Sequence, residues 1–369
     1  MFKLVREMLN KFRQSSSEAE LLSEQGYKLT KKVGEGSYAH VYLGEFMREP
    51  GGGSFQIACK VINTQKAPDR YNRKFLPREL EILGKIKHPY IIHVYSIFQR
   101  KDSYFIFMRY AEHGDLFQYM KLNGAIKENH ARIWTRQIAL AVQYLHTLEI
   151  AHRDLKCENI LITSHMNCKL TDFGFARIVT DDFGNHVTSQ TFCGSKQYVA
   201  PEILRGERYN PKAADMWSLG VVIFVMLNKA LPFEENDKHS LQNAQVQRKW
   251  KFRSRVVDVL SGEVKDLVTE LLDPEPGKRP EVGNVVNSAW INMDSKLRRL
   301  VAVEVKALHS ALEEAKSAGN KGQQNMENRR RTSTTFKKQS KDLVFWKEMT
   351  AKLELDVSLL NRLDDIALS

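Results

Sequence analysis

The chain has 369 residues, of which 42% are hydrophobic, and its formal net charge is +12. This length is enough for a two-lobed enzyme with tails, and the apolar content allows a sizeable core. A basic balance fits a nucleic acid, an anionic membrane or acidic partners, but the positive charge is spread along much of the chain, which favours a solvated surface. The longest apolar stretch, at 219–227, is too short to cross a bilayer, so no transmembrane segment is expected.

Cysteine usage and the first residues bear on the compartment. The four cysteines are Cys59, Cys157, Cys168 and Cys193. Their spacing fits neither a metal site nor a disulfide framework, and no secretory segment follows Met1, so we predict a cytoplasmic protein with nuclear access left open. Residues 1–12 mix apolar and basic side chains, which fits either a membrane-surface helix or a short helix packed on the protein itself.

After an N-terminal extension at 1–26, the chain reads as short strands with one helix. The predicted strands are 27–33, 40–46, 55–62, 91–98 and 104–108. The helix is predicted at 73–86, where Leu76, Leu80 and Leu83 share one face. These elements predict a β-rich lobe at about 27–108.

Beyond a junction near 109–112 the pattern becomes mainly helical. Helices are predicted at 116–122, 128–147, 211–227 and 264–272, with a strand pair at 160–162 and 168–170. A helical lobe at about 112–293 therefore completes a domain at 27–293, and the predicted fold class is α+β with two lobes.

The tail, 294–369, has a different composition. Residues 317–340 are polar, poor in aromatics and basic towards their end, which predicts disorder. Apolar residues then recur at helical spacing, at Trp346, Met349, Leu353, Leu360 and Leu363. This pattern predicts a terminal amphipathic helix that either folds back on the domain or binds a partner.

The first motif is a glycine turn, Gly34-Glu-Gly36-Ser-Tyr-Ala-His-Val41, between two strands. Glycine lets backbone N–H groups approach a phosphate without a Cβ in the way. The third glycine of the G-x-G-x-x-G pattern is replaced by Ala39, and a strand rather than a helix follows, which excludes a Rossmann site. Alone, the turn is weak evidence for a phosphate-binding site, because glycine turns between strands are common.

The second motif is a lysine on an apolar strand, in Ile57-Ala-Cys-Lys60. An exposed strand lysine is the simpler interpretation. If the strand is buried, however, an unpaired ammonium would be costly, and Glu79 on the following helix is the natural partner.

Three further motifs follow in order: His152-Arg-Asp-Leu-Lys-Cys-Glu-Asn159, Asp172-Phe-Gly174 and Ala200-Pro-Glu202. Together with the glycine turn, the strand lysine and the helix glutamate, they resemble the eukaryotic protein kinases over about 27–293. Residues 74–83, the glycine turn, Cys157 and the run Thr191-Phe-Cys-Gly-Ser195 are more narrowly similar to the testis-specific serine/threonine kinases, near the calmodulin-dependent kinase group.

The resemblance implies an ATP- and Mg²⁺-dependent enzyme that phosphorylates Ser or Thr on protein substrates. It implies that Lys60, aimed by Glu79, holds the α- and β-phosphates. It makes Asp154 the group that accepts or orients the hydroxyl proton, and Lys156 the group that neutralises the transferring phosphate. Lys156 and Ser195 are typical of serine/threonine kinases.

The resemblance also assigns the ligand residues. It places Mg²⁺ on Asn159 and Asp172. Its nucleotide residues are Val33, Gly34, Gly36, Ser37, Val41, Ala58, Lys60, Met108, Ala111 and Leu161. Many kinases carry an acid where Arg109 stands. Little loss is expected there, because the adenine contact is made by the backbone.

Regulatory and structural roles follow in the same way. Thr191 stands where the family is often phosphorylated, by an upstream kinase or by autophosphorylation, with Arg153 and Arg177 as partners for the phosphate. The helix position that is basic in some relatives is Phe75, so weaker coupling to that helix is expected. The resemblance also implies a buried ion pair, Glu202 with Arg279, and makes Asp215 the anchor of the catalytic-loop backbone.

Two acidic residues bear on substrate preference. Glu158 and Asp115 resemble acidic positions that read basic residues before the phosphorylated residue. A scaffold pseudokinase would have lost Lys60, Asp154 or Asp172, and all three are present. A small-molecule kinase would not need the Ala-Pro-Glu segment. A single aromatic residue, Phe336, lies within the basic run at 329–341, which is too little interleaving to indicate a specific nucleic acid partner.

Overall fold

The computed structural model describes residues 18–47, 53–181 and 185–331. Contacts between residues divide these into two units. The strand unit comprises 18–47, 53–73 and 93–110, and the helical unit comprises 74–92, 111–181 and 185–331. The amphipathic segments predicted at 1–12 and at the end of the chain lie outside the described residues.

The strand unit is a five-stranded antiparallel sheet in the order β1-β2-β3-β5-β4. Its strands are β1 (Tyr27–Glu35), β2 (Ala39–Met47), β3 (Ser54–Asn63), β4 (Val94–Arg100) and β5 (Ser103–Arg109). All five strands were predicted. The fourth begins at Val94 rather than at residue 91, because Ile91 and Ile92 pair instead with Leu170 of the helical unit.

An aromatic cluster fills one face of this sheet. Tyr27 stacks on Phe107 with ring centroids 3.8 Å apart and meets Phe98 edge-on at 5.8 Å. Leu22 of the short helix α1 (Glu18–Glu24) packs against the same cluster. The end of the predicted N-terminal extension is thereby tied to the sheet by apolar burial.

The helical unit contains the predicted helices and the predicted strand pair. Its helices are α2 (Leu76–Leu83), α3 (Leu116–Asn123), α4 (Glu128–Thr147), α5 (Pro201–Arg205), α6 (Pro211–Asn228), α7 (Lys238–Val246), α8 (Ser254–Val257), α9 (Gly262–Leu271), α10 (Val282–Val286), α11 (Ala289–Asn292) and α12 (Ala302–Arg331). Short strands are β6 (Ile150–Ala151), β7 (Ile160–Ile162), β8 (Cys168–Leu170) and β9 (Arg177–Ile178), paired β6 with β9 and β7 with β8. The architecture is α+β, as predicted.

Helix α6 is buried along most of its length, which explains its apolar sequence. Gly220 allows its close contact with α9. A Cβ at this position would lie 2.7 Å from Leu271 Cβ, closer than real side chains approach. The glycine is therefore required by packing between helices.

Helix α2 is shorter than the predicted 73–86. It begins at Leu76 after a π-helical turn, Tyr71–Phe75, and Pro77 stands in its first turn, where proline is tolerated. Its contacts group α2 with the helical unit. This helix was predicted within the β-rich lobe, because it lies between predicted strands. The segment after it is tied to the helical unit, since Lys87 N donates to Tyr144 Oη at 2.9 Å.

The tail departs from prediction where it is described. Helix α12 continues to Arg331, so the disorder predicted for 317–340 is wrong for 317–331. Those residues include Ala, Lys, Gln, Met and Glu, which favour helix, and they extend a helix already begun at Ala302. The remainder of the segment lies outside the described residues.

The four cysteines are all buried and unpaired with one another, in agreement with the prediction of no disulfide framework. Within the described ranges, no helix is both long and apolar enough to cross a bilayer.

Candidate active site

The polar loop that follows β6 is held by one buried carboxylate, Asp215 of α6. Its Oδ2 accepts a hydrogen bond from His152 N at 2.9 Å, and its Oδ1 accepts one from Arg153 N at 2.7 Å. His146 Nε2 lies 2.9 Å from Oδ2. Because two consecutive amides are fixed, Arg153 keeps an unusual backbone conformation with φ of 65°. The anchoring role predicted for Asp215 is confirmed.

Asp154, the next residue of this loop, is buried and contacted on both oxygens. Its Oδ1 accepts from Ser195 N at 2.9 Å and from Ser195 Oγ at 3.2 Å. Its Oδ2 lies 2.9 Å from Lys156 Nζ and 3.0 Å from Asn159 Nδ2. Lys156 Nζ also donates to Ser195 Oγ at 2.8 Å. Four predicted residues thus form one hydrogen-bonded group around a carboxylate.

Gly194 allows the segment that carries Ser195 to approach the loop. Its φ is +94°, a conformation that L side chains rarely adopt, and a Cβ there would lie 2.9 Å from Arg153 O. The glycine therefore brings the Ser195 amide within hydrogen-bonding distance of Asp154.

Asn159 and Asp172 carry side-chain oxygens of the kind that bind a metal ion, and both follow Asp154 along the chain. Asn159 Nδ2 donates to the main-chain and side-chain oxygens of Asp154 at 2.9 Å and 3.0 Å. Because the amide nitrogen of Asn159 points to Asp154, its amide oxygen points away from Asp154. Asp172 has φ of 63°, and its Oδ1 accepts a long bond from Gly174 N at 3.4 Å. Carboxylate and amide oxygens are the donors that Mg²⁺ prefers.

Glu79 lies close to the same glycine. It is buried in α2, and its Oε2 lies 3.5 Å from the position that a Cβ on Gly174 would take. A Cβ at residue 174 would therefore lie in van der Waals contact with both Glu79 and Asp172. Ala111 is buried at the start of the helical unit, and Leu161 lies in β7 opposite Lys169.

The strand unit brings together the other predicted nucleotide residues. Gly34 pairs with Val41 across β1 and β2, and Val41 pairs with Lys60 across β2 and β3. Ala58 pairs with Met108 across β3 and β5. Val33 is exposed beside the glycine turn. The turn contains Ser37 and is closed by a hydrogen bond from Gly36 N to Ala39 O at 2.7 Å.

Lys60 lies on the sheet face opposite the aromatic cluster, since Ile57 and Cys59 occupy the clustered face and strand residues alternate. It belongs to the strand unit, and Glu79 belongs to the helical unit. Their pairing remains a prediction.

A buried ion pair joins Glu202, at the end of the Ala-Pro-Glu motif, to Arg279. The guanidinium donates to both carboxylate oxygens at 2.7 Å, and the two side chains are 3% and 0% exposed. Arg279 also donates to the carbonyls of Asp273 and Ala213. This pair was predicted and is confirmed.

Three arginines, Arg78, Arg153 and Arg177, interact electrostatically near the segment that carries Thr191. Burial lowers the pKa of Arg177, and the positive charges of Arg153 and Arg78 lower it further. Arg153 Nη1 donates to Ser189 Oγ at 3.1 Å, and the same hydroxyl accepts a long bond from Thr191 N at 3.4 Å. The arginines therefore form an anion-attracting cluster, since each would gain from a negative partner.

Arg78 was not singled out from the sequence. Weaker coupling to helix α2 was expected, because Phe75 occupies the position that is basic in some relatives. Phe75 instead meets Phe175 edge-on at 5.9 Å, and Arg78, about one turn further along, contributes the charge. The weaker coupling expected for this helix stays a prediction, and a scan of its whole first turn for arginine would have found Arg78.

Comparisons with known proteins agree with this geometry. A family model described as the protein kinase domain matches residues 27–291. Testis-specific serine/threonine-protein kinase 1 of Mus musculus is 39% identical over 277 residues, which cover 74% of this chain and 74% of the relative. The Homo sapiens kinase of the same name is 38% identical over 289 residues, covering 78% and 77%.

Testis-specific serine/threonine-protein kinase 3 of Homo sapiens is 38% identical over 273 residues, covering 74% of this chain and 98% of the relative. The chain belongs to the testis-specific serine/threonine kinases of the protein kinase family. This kinase is thus a serine/threonine-specific phosphotransferase that uses ATP and acts on proteins. Its α+β architecture is the protein kinase fold, and its described residues beyond 291 lie outside the family match.

Proposed function

We propose that this kinase transfers the γ-phosphoryl group of ATP, in the presence of Mg²⁺, to Ser and Thr residues that follow basic residues in protein substrates. The observation that carries this proposal is the environment of Asp154. One carboxylate oxygen faces Ser195 and the other faces Lys156 and Asn159. This arrangement holds a proton acceptor, Asp154, and a cation, Lys156, beside the position proposed for the substrate hydroxyl.

In the proposed reaction, Asp154 accepts the proton of the substrate hydroxyl as its oxygen bonds to the γ-phosphorus. The bond from the γ-phosphorus to the oxygen that bridges it to the β-phosphate breaks, and ADP leaves with the electron pair. Lys156 is placed to balance the negative charge of the transferring group. Ser195 orients the base, because its amide and hydroxyl both donate to Asp154.

Mg²⁺ would be held by Asn159 and Asp172, and when bound it neutralises phosphate charge. The oxygen donors of these two residues fit a hard cation. Lys60 would bind the α- and β-phosphates, aimed by Glu79. The glycine turn of the strand unit would cover the phosphates, and Ala58 would contact the adenine.

Two carboxylates near the catalytic loop support the basic preference. Burial raises the pKa of the Cys157 thiol to about 12, and the negative charges of Glu158 and Asp115 act in the same direction. Glu158 directly follows Cys157. Asp115 forms a backbone bridge with Leu161, two residues after Asn159, so both carboxylates lie near this loop. Burial also raises the pKa of Asp115, so a guanidinium partner would relieve an unfavourable charge. Asp115 also caps α3 through the Gln118 amide, which accounts for one of its oxygens.

A peptide library with radiolabelled ATP and Mg²⁺ tests the proposal. We expect Arg or Lys before the acceptor to raise kcat/KM, and the variant Asp115→Asn, Glu158→Gln to reduce that preference about tenfold. Glu270→Gln, an exposed charge change on α9, is the matched control and should keep the preference. Lys60→Met and Asp154→Ala should incorporate little label.

A library that selects acidic or proline-directed sites would contradict the basic preference alone. Equal labelling by the wild type, Lys60→Met and Asp154→Ala would overturn the assignment of the catalytic residues. The two outcomes are separate, because the first concerns which peptide is chosen and the second concerns whether these groups act in transfer.

We also propose that phosphorylation of Thr191 activates this kinase. A phosphate adds about −1.5 to −2 charges. It would be added near Arg78, Arg153 and Arg177, whose mutual repulsion it would relieve. Ser189 Oγ, which contacts both Arg153 and the Thr191 amide, places the residue beside this cluster.

We expect Thr191→Ala to lower specific activity about tenfold, the size of a typical coupling between sites. Thr188→Ala, an exposed neighbour in the same segment, is the control and should keep wild-type activity. Mass spectrometry of the wild type measures the phosphate directly. Full activity of Thr191→Ala, with no phosphate on the wild-type residue, would rule out this regulation.

A further inference from the structure

The chain continues past the family match, and a buried carboxylate holds this continuation to the helical unit. Glu304, in the first turn of α12, is 2% exposed. Its oxygens accept hydrogen bonds from Arg136 Nη1 at 2.7 Å and Nη2 at 2.8 Å. Arg136 also donates to the carbonyls of Leu297 and Arg299, just before the helix. These bonds fix the start of α12 against α4.

The same carboxylate contacts the loop after α2. Tyr90 Oη donates to Glu304 Oε1 at 2.7 Å, and the tyrosine is buried. Burial raises the pKa of the Tyr90 hydroxyl, and the charge of Glu304 acts in the same direction, so the phenol keeps the proton that it donates. We call Tyr90, Glu304 and Arg136 the tail anchor.

The main chain around Tyr90 supports the strand that leads to Asp172, the metal ligand proposed above. Leu170 N donates to Tyr90 O at 2.8 Å, and Ile92 N donates to Leu170 O at 2.9 Å. Lys169 Nζ donates to Pro89 O at 2.6 Å. Strand β8 therefore has β7 along one edge and this loop along the other. Two residues after Leu170 the chain reaches Asp172.

We propose that Glu304 is a positioning residue for Asp172, an inference that rests on the metal role proposed above for Asp172. The contacts run without a gap from Glu304 to Tyr90, from the Tyr90 carbonyl to Leu170, and along the chain to Asp172. Mutation of a residue that hydrogen-bonds to a metal ligand typically lowers metal affinity about 10- to 100-fold. Glu304 acts through Tyr90 and Leu170, so a smaller effect is expected.

The test measures Mg²⁺ dependence in the full chain. We expect Glu304→Gln to raise the Mg²⁺ concentration for half-maximal activity about 3- to 10-fold. Tyr90→Phe leaves the Arg136–Glu304 pair in place and removes only its link to the loop. It should raise the same concentration about 2- to 3-fold. Glu313→Gln, on the same helix but 60% exposed, is the matched control and should equal the wild type.

A second readout does not depend on turnover. For each variant, the rise in Tm caused by ATP with Mg²⁺ is compared with the rise caused by ATP with EDTA. We expect the Mg²⁺-dependent part to shrink in Glu304→Gln and in Tyr90→Phe, and to be unchanged in Glu313→Gln.

The outcomes separate a positioning role from a structural one. If Tyr90→Phe and Glu304→Gln lower the basal Tm but keep the wild-type Mg²⁺ dependence in both readouts, Glu304 only stabilises the fold and the proposal is overturned. If the wild type labels no substrate while the variants lose the Mg²⁺-dependent rise in Tm, the proposed function fails and the positioning role is supported.

Discussion

We expect replacement of Asp154 by Asn to lower kcat by about 10²- to 10⁴-fold, the usual contribution of a positioned acid or base. Asn keeps the size of the side chain but does not accept a proton at neutral pH. It also brings an amide group, rather than a carboxylate, to the Ser195, Lys156 and Asn159 donors. Steady-state kinetics with a Ser peptide, beside a measurement of ATP affinity, check this result.

Nucleotide affinity should change little, because in the proposed mechanism Asp154 contacts the substrate hydroxyl rather than ATP. Asp266→Asn, an exposed substitution of the same kind on α9, is the control and should retain the wild-type kcat. A kcat for Asp154→Asn close to the wild-type value would remove Asp154 from the chemical step. A loss of ATP affinity as large as the loss of kcat would instead indicate a disturbed site.

The second large effect concerns stability. We expect Arg279→Met to lower the free energy of unfolding by about 3–5 kcal/mol, because it leaves the Glu202 carboxylate buried without its partner. The loss also includes the bonds from Arg279 to two carbonyls and its contact with the Trp217 ring at 5.1 Å. Urea unfolding, followed by circular dichroism, measures the change.

Lys278→Met is the neighbouring control. Lys278 is exposed and pairs with Glu275 at the surface, so stability should barely change. The double variant Glu202→Leu, Arg279→Met should recover part of the loss, because it removes the unpaired charge. Equal losses in the single and double variants would show that packing, not the charge, dominates at this position.

Much of the candidate site could be predicted from the sequence, because the residues that meet around Asp154 belong to motifs in a fixed order. Asp154, Lys156 and Asn159 lie within six residues, so their spacing can be read directly from the sequence. The strands and the long helices followed from periodicity in the same way. The buried pair of Glu202 with Arg279, 77 residues apart, was predicted only through family resemblance.

What the sequence did not reveal depends on tertiary contacts. Arg78 is one of several basic residues near α2, and nothing local indicates its approach to Arg177. Glu304 meets Arg136 and Tyr90 across 168 and 214 residues of sequence, with no shared motif. The end of α12 was missed for a different reason, since low aromatic content was read as disorder although the residues themselves favour helix.

The burial of the four cysteines has a consequence for chemical targeting. Burial raises the pKa of each thiol, so at neutral pH all four are protonated. A thiolate, rather than a thiol, attacks an electrophile. Covalent inhibitors directed at cysteine therefore gain little from Cys157, although it lies in the polar loop at 152–159, three residues after Asp154. Selective labelling of this enzyme calls for a cysteine introduced at an exposed position.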